Sequence, residues 1–361
     1  MRVGILTYHR AHNFGAVLQC FALKSVIENM GHDVQVIDYR QPIIELVYQY
    51  HNRFDLRTLL RLPFGQKIDY IFNHISRYKN NYNNRKDYFE SFCRKNLNLS
   101  PDYTSGIPDI YDIYVIGSDM LWGAECMMGH FESVYFGLFP HAKEHSVIGY
   151  AISSTPASIE KIYEETHFGF ISEFKALSLR ESKLASKVTQ YTNRMIPVCL
   201  DPTLLTNSDT WEPLINHEWS KRKYILTYYL RVKSDDRSRI HDLLKRFKKE
   251  GYEIINIDLR VTSEPIEVEE FLSMIKYASY LITDSFHGVV FSTIFHTPVH
   301  AICLHDHGDI RYTNILEALG LTQLIVERDF TPDIPCIDYA NADKQLINMQ
   351  KDSMDFLKEN L

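Results

Sequence analysis

Leu281-Ile-Thr-Asp-Ser-Phe-His-Gly-Val-Val-Phe291 is an apolar run that stops at small polar residues and a histidine before apolar spacing resumes. Tyr280 to Thr283 reads as a short buried strand, and Asp284 and Ser285 are N-cap residue types. Val289, Val290, Ser292, Thr293 and Phe295 continue at helical spacing. The stretch is therefore a strand, a tight loop and a helix, with His287 in the helix's first turn. At the carboxyl end of a parallel strand, free N–H groups and the helix dipole favour an anion. Gly288 would let that anion approach the backbone. Taken alone, the stretch is equally a capped turn with a hydrogen-bonded histidine.

The 361 residues, 45% of them hydrophobic, can bury a large core and predict two domains. The chain passes from Met1-Arg2 straight into Val3-Gly-Ile-Leu-Thr-Tyr8, too short for a signal-peptide core, and no apolar run approaches a membrane span. A soluble cytoplasmic protein is expected. Cys20, Cys93, Cys126, Cys199, Cys303 and Cys336 show no paired spacing, so neither a zinc site nor a disulfide framework is indicated. The net charge of −7 is uneven: residues 52–95 hold ten Lys or Arg against four acids, a segment charge of +6 that leaves −13 on the rest. An acidic remainder argues against nucleic acid as a partner.

Val3 to Thr7 reads as a strand, His9 to Asn13 as a polar loop, and Phe14 to Met30 as a helix stopped by Gly31. With a strand over Val34 to Tyr39 this is a βαβ unit. Asn13 is placed at the helix N-cap, pointing into a cleft. No GxGxxG follows the first strand, so a dinucleotide fold is unsupported. The basic region 52–95 is also aromatic and predicts a helical insertion broken at Pro63-Phe-Gly65 and around Asn80 to Asn84. It offers either a solvated cationic face or a surface for anionic phospholipid or a lipid-pyrophosphate carrier.

Further strands are expected at Asp112–Ile116, Val147–Ile152 and Ala176–Leu179, with a helix through about Phe174 and another opened by Arg180, and Ile196 to Leu200 leads on to Asp201-Pro-Thr-Leu-Leu205. Asp201-Pro202 breaks regular structure, and the domain boundary is placed there: residues 1–200 as one Rossmann-like domain, 201–361 as a second. In the second half, strands at Tyr224–Leu230, Tyr252–Ile257, Tyr280–Thr283 and Val299–Leu304 alternate with helices at Arg237–Lys249, Val268–Tyr277 and Ile310–Leu319. A last helix, Asp343 to Asn360, is expected to cross back over the first domain.

Four signatures, in order, resemble the polysaccharide pyruvyl transferase family. They are Asn13-Phe-Gly-Ala-Val-Leu-Gln19, Gly117-Ser-Asp-Met-Leu-Trp122, Ser178-Leu-Arg-Glu181 with Asp201-Pro-Thr-Leu-Leu205, and Thr283-Asp-Ser-Phe-His-Gly288. The second departs from the family's GSDQxWN-like pattern at Met120 and Gly123, which bears on the acceptor rather than the chemistry. The resemblance implies a GT-B-like architecture, with two Rossmann-like domains facing a cleft. It also implies transfer of pyruvate from phosphoenolpyruvate to a sugar as a ketal.

That chemistry gives the residues roles. A guanidinium fork suits a phosphate or a carboxylate, so Arg180 is expected to anchor the donor, with Arg311 as a second anion contact. Proton transfer needs an acid and a base, for which His287 and Asp119 are the candidates. Asn13, Gly15, Ser118, Asp284, Ser285 and Gly288 are expected to bind substrate. Singly, Arg180-Glu181 also reads as a surface ion pair, and Asp119 and Asn13 as helix caps. The spacing of His296, His300, His305, Asp306 and His307 crosses a helix end, a strand and a loop, and no metal is expected there. No cofactor is required. The rival functions are a GT-B glycosyltransferase using a nucleotide-sugar donor and a glycan-binding protein without catalysis.

Overall fold

β-branched and aromatic runs ending in small polar residues form parallel strands along most of this chain. The computed structural model describes residues 1–44, 67, 83–103, 106–231, 238–258, 266–306, 308–326 and 337–361. Among these, ten strands make two five-stranded sheets. The first contains β1 (Arg2–Leu6), β2 (Asp33–Val36), β3 (Ile113–Asp119), β4 (Ser146–Ile152) and β5 (Ala176–Leu179), in the order β2-β1-β3-β4-β5. The second contains β6 (Tyr224–Tyr229), β7 (Glu253–Asp258), β8 (Tyr280–Thr283), β9 (Val299–Ile302) and β10 (Ile325–Val326), in the order β10-β9-β8-β6-β7.

Counted within its own half, each sheet has the same order, second-first-third-fourth-fifth. All the pairings are parallel. Strand order reverses between the first and third strands, which puts a ligand crevice at their carboxyl ends. In the first half those ends carry Thr7 to Asn13 and Ser118-Asp119; in the second they carry Leu230-Arg231 and Asp284 to His287. β6 and β8 are buried along their whole length, as strands covered on both faces must be.

The longer described helices are α1 (Phe14–Asn29), α2 (Asn83–Asn96), α3 (Pro156–Thr166), α4 (Ser182–Thr192), α5 (Ser238–Lys249), α6 (Val268–Tyr277), α7 (Phe286–Ile294), α8 (Asp309–Ala318) and α9 (Tyr339–Asn360). α1 joins the halves: Phe14 stacks on Phe271 of α6 with ring centres 4.1 Å apart and planes 3° from parallel. α9 also reaches the first half. Ser353 Oγ accepts from Leu200 N at 3.0 Å and Phe356 meets Tyr150 of β4, while Gln350 donates to Leu204 O at 2.7 Å just past the division. One apolar cluster thus runs through both halves. Starting the second domain at Asp201 remains our proposed division.

Several elements differ from expectation. The helix from Pro156 stops at Thr166, since His167 and Phe168 take positive φ, and a 3₁₀ turn follows. α9 starts earlier than expected, at an Asp338 cap. β10 is two residues long, too short to show a pattern.

The predicted break at Pro63-Phe-Gly65 lies outside the described residues. The end of the basic segment is α2, whose Phe89 and Phe92 are buried. Arg85 donates to His12 O at 2.7 Å and lies over Phe89, so it belongs to the packing and not to a solvated cationic face. The loop His9 to Asn13 is likewise buried. His9 and Arg10 both bind Asp38, and Arg10 pairs with Glu90 of α2. Burial alone would raise the Asp38 carboxyl, but His9 and Arg10 hold it well below the usual range. Among the described residues no helix is long and apolar enough to cross a membrane.

Candidate active site

The amino ends of α1 and α7 meet at the carboxyl ends of the two sheets. Asn13 caps α1, accepting from Gly15 N at 2.9 Å and Ala16 N at 3.4 Å. Ser285 caps α7, accepting from Gly288 N at 3.2 Å. Between the caps, His287 lies so close to Gly15 that a Cβ there would overlap the ring at Nδ1. Gly15 is therefore a glycine because a histidine from the other half occupies the space of a side chain. Gly15→Ala is expected to lower stability by about 1–3 kcal/mol by overpacking, together with most turnover. A urea midpoint equal to the parent's would show that the ring yields freely.

On its other side His287 Nε2 stands 3.6 Å from Asp201 Oδ2. Asp201 is 1% exposed. Its Oδ1 accepts from Thr203 N and Oγ1, and its Oδ2 accepts from Arg180 Nη1 at 2.6 Å. Burial would raise this carboxyl; His287, Arg180 and Thr203 together hold it well below the usual range. Arg180 Nε donates to Glu181 Oε1 at 3.0 Å, and the guanidinium lies 4.5 Å over the Phe286 ring. Glu181 Oε1 also accepts from Ser153 Oγ at 2.7 Å. Arg180 and Glu181 are buried, so this is no surface ion pair. Arg180 precedes α4, whose cap is Glu181. Its fork is largely engaged by protein carboxylates, with Nη2 left unpaired.

Arg311, in the first turn of α8, is half-buried, and among the described residues no hydrogen bond or ion pair holds it. Its pKa is lowered by burial and by the neighbouring charge of Arg180, with Asp119 and Glu181 opposing. Two guanidinium groups share one space, an arrangement that an added anion relieves. Arg180, Glu181, Asp201, Phe286 and Arg311 wall a cavity of about 280 Å³, closed on its apolar side by Leu200, Leu204, Ile315 and Met349.

The other expected site residues fall into two groups. Asp119 ends β3 at φ +75°, half-buried and within the field of both arginines, but is not on the cavity wall. Ser118 is buried and fixed by Gln19: its N–H donates to Gln19 Oε1 at 3.2 Å and its Oγ to Ala151 O at 2.6 Å. Asp284 is 1% exposed and occupied by the fold, with its two oxygens accepting from Leu230 N and Arg231 N. Gly288 is needed for packing, since a Cβ would stand 2.7 Å from Thr283 Oγ1.

The histidine cluster disperses. His296 pairs with Asp343 at 3.0 Å, His300 packs on Tyr280, and His307 lies outside the described residues. Glu181 and Asp201 were not among the expected site residues. Asp201 looked like a chain break because Asp-Pro-Thr is a turn sequence, and its partner Arg180 is 21 residues away.

UDP-GlcNAc 2-epimerase from Methanocaldococcus jannaschii is similar in structure over 97% of this chain and 93% of its own, at 12% identity and a TM-score of 0.50. The Neisseria meningitidis UDP-GlcNAc 2-epimerase aligns over 98% and 93% at 10% identity and a TM-score of 0.45. The glycosyltransferase SnogD from Streptomyces nogalater aligns over 98% and 95% at 10% identity and a TM-score of 0.39. At such identities the likeness is one of fold, and the fold is GT-B-like: two parallel sheets with flanking helices. No curated protein matches the sequence significantly. The family model for polysaccharide pyruvyl transferase matches residues 13–303, a span that holds every expected site residue except Arg311. With the ordered signatures meeting around His287, Asp201 and Arg180, this chain belongs to the polysaccharide pyruvyl transferase family.

Proposed function

We propose that the protein transfers pyruvate from phosphoenolpyruvate to two hydroxyls of a sugar, forming a ketal and releasing phosphate. The observation that carries this reading is Arg311, which no hydrogen bond or ion pair holds among the described residues, standing with Arg180, whose Nη2 is likewise unpaired there, on the wall of a small cavity. Such a pair suits a compact ligand with a phosphate and a carboxylate. In this reading Arg311 and Arg180 hold the donor, and His287, aligned by Asp201, supplies the proton to the methylene carbon. Asp119 contacts the acceptor from the first half.

A nucleotide-sugar donor fits less well. The carboxyl ends of β6, β8 and β9 carry Asp284, Asp306 and Asp309 around a single arginine, Arg231, which donates to the Asp309 carboxylate and to the Asp284 carbonyl and pairs with Asp306. A diphosphate there would meet three carboxylates. The test is incubation of the pure protein with phosphoenolpyruvate or UDP-sugars and a panel of sugar acceptors. Phosphate release is the expected result, and UDP release without it would replace this function by glycosyl transfer.

Contact with an acceptor on a lipid phosphate, through the +6 segment 52–95, is a second part of the proposal. Because Arg85 is engaged by His12, the charge reversal that tests it is confined to Arg77, Lys79 and Lys86. The variant is expected to bind anionic vesicles more weakly at low salt and to keep its activity on a short soluble acceptor. Equal vesicle binding by variant and parent removes the idea.

A further inference from the structure

Three polar atoms on residues that wall the cavity are buried and have no hydrogen-bond partner among the described residues: Arg180 Nη2, Glu181 Oε2 and Asn314 Nδ2. Native interiors rarely leave such atoms unpaired, and three around one cavity point to a ligand that completes them. The arginine and asparagine nitrogens call for acceptor oxygens, which a phosphate or carboxylate supplies. Glu181 Oε2 calls for a donor. Phosphoenolpyruvate has no hydroxyl to offer; a sugar does.

Arg180 and Ser153 use Oε1 of Glu181, but no group among the described residues uses Oε2. Glu181 occupies the N-cap of α4, where Ser, Thr, Asn and Asp prevail, and its side chain makes no capping hydrogen bond. The charge of Arg180 is already matched by Asp201 at 2.6 Å. A further carboxylate beside Arg180 and Arg311 opposes anion binding, so its presence calls for a role in the reaction. Of the carboxylates in the field of the arginines, Asp201 is already bonded to Arg180 and Thr203, and Asp119 is not on the cavity wall. His287 is not on it either, but its Nε2 stands 3.6 Å from Asp201, which is.

We infer that Glu181 is a further catalytic residue, the base that accepts the proton of an attacking sugar hydroxyl. The inference rests on the pyruvyl-transfer reading. In the first step the hydroxyl oxygen bonds to C2 of phosphoenolpyruvate and its O–H proton passes to Glu181. The C2–C3 π pair takes a proton at C3 from the acid, His287 in that reading. In the second step the C2–O bond to phosphate breaks, with its electron pair leaving on the phosphate. The second hydroxyl then bonds to C2, and its proton is taken up by the phosphate. The atoms balance once Glu181 gives its proton up to solvent and His287 takes one back: two O–H bonds are lost, one C–H bond is gained, and phosphate departs protonated.

The test compares the parent with Glu181→Gln, which keeps the acceptor for Arg180 Nε and Ser153 Oγ, and with Glu181→Asp, which keeps the charge. Phosphoenolpyruvate affinity is measured by calorimetry. Phosphate release is measured with 4-nitrophenyl glycosides as acceptors and with water alone. Glu181→Gln is expected to bind phosphoenolpyruvate as tightly as the parent or more so, and to release phosphate about 10²–10⁴-fold more slowly. Glu181→Asp should fall between the two. Weaker phosphoenolpyruvate binding by Glu181→Gln would make Glu181 only a partner of Arg180 and overturn the inference, as would parental turnover. A parent that does not bind phosphoenolpyruvate overturns the pyruvyl-transfer reading itself, whatever Glu181 does.

Discussion

Arg311→Gln is expected to slow phosphoenolpyruvate-dependent phosphate release by about 10²–10³-fold, the scale for one preorganised donor, while leaving the urea midpoint unchanged or higher. The two halves of that result have one cause. Arg311 has no counter-ion among the described residues, and the nearby charge of Arg180 already opposes its protonated state. Removing it breaks no pair and relieves a repulsion, so the fold loses nothing that the arginine supplied.

Arg180 is the contrasting case. It is buried between Glu181 and Asp201, and truncating it to alanine would strand both carboxylates, a change worth about 3–5 kcal/mol for a buried ion pair. Lost activity in Arg180→Ala would then be confounded with lost structure. Arg180→Lys keeps the charge but cannot reach Glu181, Asp201 and a ligand from one planar group. The informative comparison is therefore Arg311→Gln: normal turnover would dismiss the paired-arginine site, and a lowered midpoint would mean that Arg311 is structural.

What the sequence made legible follows from how local the physics is. The strand Tyr280–Thr283, the helix Val268–Tyr277 and the Asn13 cap are set by burial, periodicity and a side chain bonding two residues away. His287 was legible as a first-turn residue for the same reason. Its surroundings were not, because Gly15 and Asp201 come from 272 and 86 residues earlier in the chain. Gly288 read as room for an anion, yet the space beside it belongs to Thr283, five residues back across the turn. Asp284 read as a ligand contact, yet it binds the amides of Leu230 and Arg231, just past the end of a strand that only the sheet order brings near. Arg180-Glu181 looked like an exposed pair because nothing in four residues reveals that Asp201 lies on the other side of the guanidinium.

Asp201 is where the largest combined effect on stability and activity is expected. Asp201→Ala leaves Arg180 with one carboxylate and His287 with none, and should destabilise the protein by about 3–5 kcal/mol. Asp201→Asn keeps the volume and an acceptor for Thr203 but removes the charge that faces His287. It should slow turnover by about 10²-fold or more if the histidine carries the proton. The pH dependence separates charge from shape. The folded-state pKa of Asp201 is depressed, so its stabilisation is fully present above the unfolded carboxylate value of about 3.9. That stabilisation fades as pH falls toward the lower folded value. The part of the stability gap between the parent and Asp201→Asn that comes from ionisation of this carboxylate should therefore be complete at pH 4.5, below the range in which a histidine ordinarily titrates, and begin to fade below about pH 4. Asp38, whose carboxyl is held low by His9 and Arg10, titrates in both proteins and cancels in the difference. Urea midpoints at pH 7, 4.5 and 3.5 give the gap directly. A gap of the same size at pH 3.5 and pH 4.5 would show that Asp201 acts by its hydrogen bonds to Thr203, with no contribution from its charge toward Arg180 and His287.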